Sequence, residues 1–235
     1  MLCTHLNAKL GEEDEVSRVV IYESLANAVQ HPDASTIQVS SRYYRPDAAR
    51  PDSSTSKGLI TICVWDDGES LVETLGRALR KGRIRQHVFP VSMYERVLMK
   101  VKNIDGSRIG DDHIVDQGAD LPIDASPELI LLACFFPGVT RRVVDQVAEI
   151  PKLSSDSVAF SNLSGMGLYI LTRTVIDRYG GEISLRNGTS FMNLKQSYDA
   201  VRSKQQSRYI ASVTQYPEQF PAFKGNLLIM RIPSR

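Results

Sequence analysis

The stretch Leu59-Ile60-Thr61-Ile62-Cys63-Val64-Trp65 carries no charge, is rich in β-branched residues, and stops abruptly at Asp66-Asp67-Gly68. Such a run is expected to be a buried strand, so the chain must build a sheet with another layer packed against it. Thr36 to Tyr44, which alternates Ile37, Val39 and Ser41, supplies a second strand. Arg45 to Lys57, rich in Pro, Ser and Asp, is the loop between them.

Helical spacing surrounds these strands. Val16, Val19, Val20 and Ala26 recur within Glu12 to His31 behind an acidic start, and Pro32 ends that helix. Leu71, Leu75 and Leu79 mark another that ends near Gly82, and Ser92 with Glu95 has capping-box spacing before Val97, Leu98 and Val101. Ser126-Pro127 reads as an N-cap and first helical position, opening a helix through about Phe135 that Pro137 and Gly138 stop. Val143, Val144 and Val147 suggest a further helical piece. Leu168, Leu171, Val175 and Tyr179 form a stripe that closes on Gly180-Gly181. Asn187-Gly188, between Glu182 to Arg186 and Thr189 to Leu194, is a hairpin signal, and Asn226 to Ile232 is a closing strand. This order implies an α/β sandwich with one open sheet face.

Charge narrows function little. With 28 Lys and Arg against 27 Asp and Glu, the 235-residue chain gives no general argument for nucleic acid or an anionic membrane. The local cluster Arg77 to Arg85 is expected to be a solvated helix face, with nucleic-acid contact as its alternative. Cys3, Cys63 and Cys134 fall in no metal-like spacing and read as free thiols of a cytoplasmic protein. No segment approaches the length of a membrane span, so no membrane contact is expected.

Three motifs carry chemistry. In Glu23-Ser24-Leu25-Ala26-Asn27-Ala28-Val29-Gln30-His31, Glu23, Asn27 and Gln30 share one helix face. A carboxylate there can polarise a water, and an amide oxygen can join the ligands of Mg²⁺. Asp66, with Gly68 beside it, can accept a hydrogen bond from a base amino group at the end of the buried strand. Gly165-Met166-Gly167-Leu168 precedes a helix, where exposed N–H groups and the helix dipole favour phosphate. Taken singly, each has an ordinary explanation: a solvated helix stripe, a β-turn, a glycine-containing helix start.

In this order the three resemble the GHKL superfamily of gyrase B, heat-shock chaperone, histidine-kinase and mismatch-repair ATPases. Glu23 to His31 looks like its N box, Asp66-Asp67-Gly68 like its first glycine box, and Gly165 to Leu168 like its second. Gly167 through Gly181-Glu182-Ile183 resembles the helix, double glycine and strand of histidine kinases, and Gly225 to Pro233 the closing strand. The resemblance implies one Bergerat-type α/β sandwich over residues 1–235, with a mixed, mostly antiparallel sheet, helices on one face, and a mostly helical lid inserted over residues 71–162. It implies ATP and Mg²⁺ as cofactors, Glu23 as catalytic residue, Asn27 as metal ligand, and Asp66, Gly68, Gly165, Met166, Gly167 and Leu168 around the nucleotide. Ser70, Leu163 and Asn226 depart from the pattern. Asn226 stands where many relatives carry an adenine-side threonine, for which Thr189 is the other position considered.

The function implied is a slow ATPase switch signalling to a protein partner or a second copy of the chain. A histidine-kinase-like or anti-sigma-like module passing phosphate to a partner, and a non-hydrolysing nucleotide sensor, are the alternatives. Phe136-Pro137-Gly138-Val139-Thr140-Arg141-Arg142 could put an arginine over a γ-phosphate, or be a helix break followed by solvated arginines. No histidine-bearing helix precedes Glu23, so phosphorylation of the chain by itself is not expected.

Overall fold

The computed structural model describes residues 14–29, 33–45, 58–82, 85–86, 95–137, 139–140, 167–197, 208–217 and 219–234. Along the chain run α1 (Asp14–Val29), β1 (Ile37–Tyr44), β2 (Leu59–Asp66), α2 (Leu71–Arg80), β3 (Arg85–Gln86), β4 (Arg96–Asn103), β5 (His113–Asp116), α3 (Pro127–Ala133), β6 (Val139–Thr140), α4 (Gly167–Thr172), a π-helical continuation (Arg173–Arg178), β7 (Glu182–Gly188), β8 (Ser190–Gln196), β9 (Tyr209–Gln215) and β10 (Phe223–Pro233). The class is α/β. Eight strands form one mixed sheet in the order β1-β2-β10-β7-β8-β9-β4-β5, in which only β4 and β9 pair parallel.

Register explains the core. Cross-strand pairing puts Ile62, Met230, Ile183, Leu194, Ala211 and Met99 in one row across six strands, and all six are buried. Side chains alternate faces along a strand, so residues two and four further along each strand return to the same face. The first step gives Val64, Leu228, Leu185, Met192, Val213 and Val101. The second gives Asp66, Asn226, Asn187, Ser190, Gln215 and Asn103. The covered face therefore changes from apolar to polar at one end of the sheet. Each large apolar side chain buried below that line contributes about 1.5–3 kcal/mol of hydrophobic stabilisation.

The helices pack on this face. In α1, Val20, Ser24 and Ala28 recur every four residues and are buried, with Ser24 Oγ donating to Val20 O at 2.6 Å and lying 3.6 Å from Met230 Sδ. In α3, Ser126 caps the start by accepting from Leu129 N at 3.3 Å, and Ile130 to Phe136 are buried throughout. The π-helical continuation of α4 buries Val175 and Ile176 and ends at Gly180, whose φ of 65° turns the chain into β7.

Two expectations change, and one strand was not expected. The helix expected behind Ser92 is strand β4, because Val97, Met99 and Val101 follow the two-residue period of its parallel partner β9; Val97 and Met99 are buried. Strand β9 itself had no counterpart in the sequence reading. The hairpin loop is Gly188-Thr189 rather than Asn187-Gly188, since Asn187 pairs with Ser190 and Gly188 takes the positive φ of 52°. Over its described residues, segment 71–162 holds α2, α3 and the strands β3 to β6, of which β4 and β5 extend the main sheet. The piece expected around Val143 to Val147 lies outside the described residues, as do Gln30, Arg141 and Leu163. Among the described residues, no helix is long and apolar enough to cross a membrane, and Cys63 and Cys134 are free thiols.

Candidate functional site

The polar end of the covered face is where the motifs meet. Glu23 is only 5% exposed on α1, and burial alone pushes its carboxyl up from the ordinary value. One turn later, Asn27 donates from Nδ2 to the Glu23 carbonyl at 2.7 Å, which leaves its amide oxygen as an acceptor. The start of α4 sits against both side chains. A Cβ placed on Gly167 would stand 2.8 and 2.9 Å from the Asn27 amide atoms and 2.9 Å from Glu23 Oε2, so the backbone approaches them as closely as it does only because residue 167 is glycine.

Asp66 ends β2 and is 2% exposed. Its Oδ1 accepts from Gly68 N and from Asn226 Nδ2, each at 3.0 Å. Gly225, with φ of 81°, has no room for a side chain, because a Cβ would fall 1.8 Å from Asp66 O. The neighbouring Asp67 has a different task. It accepts from Ser35 N at 2.8 Å, Ser35 Oγ at 2.6 Å and Thr36 N at 2.8 Å, and these donors hold its carboxyl down at about 2. The Asp-Asp-Gly turn thus divides into one carboxylate for the cleft and one that ties down the approach to β1.

An amide relay fixes the cleft floor. Asn226 Oδ1 accepts from Leu71 N at 3.0 Å and from Asn187 Nδ2, while Asn187 Oδ1 accepts from Ser70 Oγ at 2.6 Å and Val72 N at 3.3 Å. Ser70 also caps α2, accepting from Glu73 N at 3.3 Å. Ser70 therefore serves both the relay and the helix start. On the outer side, Arg77 forms an ion pair with Glu69, and Arg77 is half exposed, as a solvated helix face requires.

The resulting cleft holds about 360 Å³ of space, part of it open to solvent, and is lined by Ser24, Asn27, Ala28, Val64, Asp66, Leu71, Leu168, Leu185, Asn226 and Leu228. Of the expected site residues, Asn27, Asp66 and Leu168 line it, while Glu23 and Gly167 stand against Asn27 and Gly68 is bonded to Asp66. Gly165 and Met166 lie outside the described residues. Asn226, not Thr189, stands beside Asp66; Thr189 is exposed at the hairpin turn. Sequence reasoning missed Ser24, Leu185, Leu228 and Asn187. For Ser24 the signal was its four-residue spacing from Val20 and Ala28; for Asn187 only cross-strand register carries it. Among the described residues, no group of three or more His, Cys, Asp or Glu side chains is placed to hold a metal ion. No family model matches the chain, and no curated protein or solved structure matches it either.

Proposed function

We propose that this cleft binds Mg-ATP as a Bergerat-type, GHKL-like domain does, and that the chain is a slow ATPase switch acting on a protein partner or a second copy of itself. The observation that carries the reading is the close contact of Gly167 with Asn27 and Glu23 in a cleft floored by Asp66. Apolar walls from Val64, Leu185, Leu228 and Leu168 suit a flat base, and a buried carboxylate among them suits a base amino group. The bound metal would neutralise phosphate charge. Asn27, whose amide oxygen is left as an acceptor by its Nδ2 bond to the Glu23 carbonyl, fits as one of its oxygen ligands, with phosphates and waters supplying the rest. Glu23, one helical turn away, is the base that takes a proton from the attacking water; its raised pKa brings it nearer to neutral pH, where a base is most effective.

The test is phosphate release with Mg²⁺ varied. Asn27→Ala should weaken Mg-ATP about tenfold or more while changing metal-free ATP little. Glu23→Gln should keep ATP binding and lose phosphate release. Wild-type protein that binds Mg-ATP without releasing phosphate would point to a sensor, and Glu23-dependent transfer of phosphate to a protein would point to a kinase.

A further inference from the structure

The face of the sheet turned away from the cleft carries charge and rings that the cleft does not use. Strand alternation places Trp65, Leu227, Arg186, Phe191, Thr214 and Lys102 in one row across it, each the cross-strand neighbour of the next. Five strand spacings make this row about 24 Å long. Near its centre the Arg186 guanidinium carbon lies 3.7 Å from the centroid of the Tyr216 ring and 5.8 Å from that of Phe223, so rings rather than a carboxylate hold the cation. Arg186 is half-buried, its Nε is fully buried with no hydrogen-bond partner, and among the described residues no acid pairs with it. That costs stability and leaves a planar, positively charged fork whose charge nothing in the described protein offsets, which suits an anion supplied from outside.

Elsewhere on this face the acids are matched. Glu182 pairs with Arg231 at 2.6 Å and lies opposite Lys195, Asp112 pairs with Lys100 at 3.4 Å, and Asp116 lies opposite Arg96. The row through Arg186 contains no acid, and Lys224 is exposed beside Trp65, whose Nε1 donates to Lys224 O at 3.4 Å. A chain of net charge +1 thus gathers positive charge along one line. We infer that this line binds single-stranded nucleic acid, with phosphates on Arg186, Lys102 and Lys224 and bases stacked on the partly exposed rings of Trp65 and Phe191. Flat rings interleaved with cations decide between polyanions: every base has a face to stack on a ring, whereas an acidic peptide would use the cations and leave the rings idle. A duplex keeps its bases stacked on one another and out of reach of a sheet surface.

The experiment is fluorescence anisotropy of labelled thymidylate and uridylate oligomers, each of about eight nucleotides, titrated with the whole chain without ATP, so that the outcome is independent of the cleft. Binding of either oligomer supports the inference, and the stronger of the two names the sugar preferred. The logarithm of the affinity should fall with the logarithm of salt concentration at a slope of about −2, as about three phosphate contacts to a single strand require. Arg186→Ala should weaken binding about tenfold and make the slope shallower by about 0.7. Phe191→Ala should weaken it about tenfold with the slope unchanged, because a ring contributes stacking and no charge. Wild type that binds neither oligomer overturns the inference. So does wild type that binds a duplex of the same length, or polyglutamate of the same charge, as tightly as the single strands, and these arms need no variant to fold. Affinity within about twofold of wild type in both variants, with circular dichroism unchanged, overturns it as well.

Discussion

Glu23 and Asp67 are two carboxylates whose surroundings push them in opposite directions, and the difference decides what each can do. Burial disfavours the charged form of Glu23, so its folded pKa lies above the ordinary 4.5. Its contribution to stability is complete below that value and is lost as pH rises through the raised one. Glu23→Gln removes the cost of burying charge, so its melting temperature should exceed that of wild type at neutral pH, with the gap closing as pH falls to 4.5; a gap independent of pH would contradict this. Asp67, held down at about 2 by Ser35 and Thr36, works the other way: its contribution is complete above 3.8 and is lost as pH falls through about 2. Asp67→Asn should therefore lower the melting temperature at neutral pH, with the deficit shrinking in strong acid. Gly167→Ala sets a steric test at the same scale. Its Cβ has to displace Asn27 or Glu23, at a cost of about 1–3 kcal/mol in denaturant unfolding and with loss of nucleotide affinity.

At the scale of elements, signals that act locally were legible and signals that need a distant partner were not. Ser126-Pro127 marked the start of α3 correctly because an N-cap satisfies its own helix; Ser126→Ala should cost about 1 kcal/mol, read from the shift in denaturant midpoint at constant slope. Gly180 likewise announced the end of the helix before β7. By contrast, β4 was misread because Ser92 and Glu95 imitate a capping box, while the evidence for a strand lies in parallel pairing with β9 more than a hundred residues later. Strand β9 alternates Tyr209, Ala211 and Val213 inward, but the small and polar residues between them weaken the pattern. The hairpin between β7 and β8 was displaced by one residue because Asn187, a favoured turn residue, is drawn into the sheet by its amide bonds to Asn226, Ser70 and Val72.

Across the whole molecule, sheet register makes one site from motifs that are far apart in sequence. Pairing of β2 with β10 sets Asn226 opposite Asp66, and packing of α4 on α1 sets Gly167 against Asn27 and Glu23. The three motifs could be read from the sequence because each is a compact group of residue types with a definite chemical use. The relay through Asn187 and the apolar walls at Leu185 and Leu228 could not, because they exist only once the strands are aligned. The central claim is that this convergence is a nucleotide site, and calorimetric titration of wild type and Asp66→Asn with Mg-ATP tests it most directly. The expected result is one saturable site in wild type and at least about tenfold weaker binding in the variant, with circular dichroism unchanged. No binding by wild type, or equal affinity in two equally folded proteins, would contradict it.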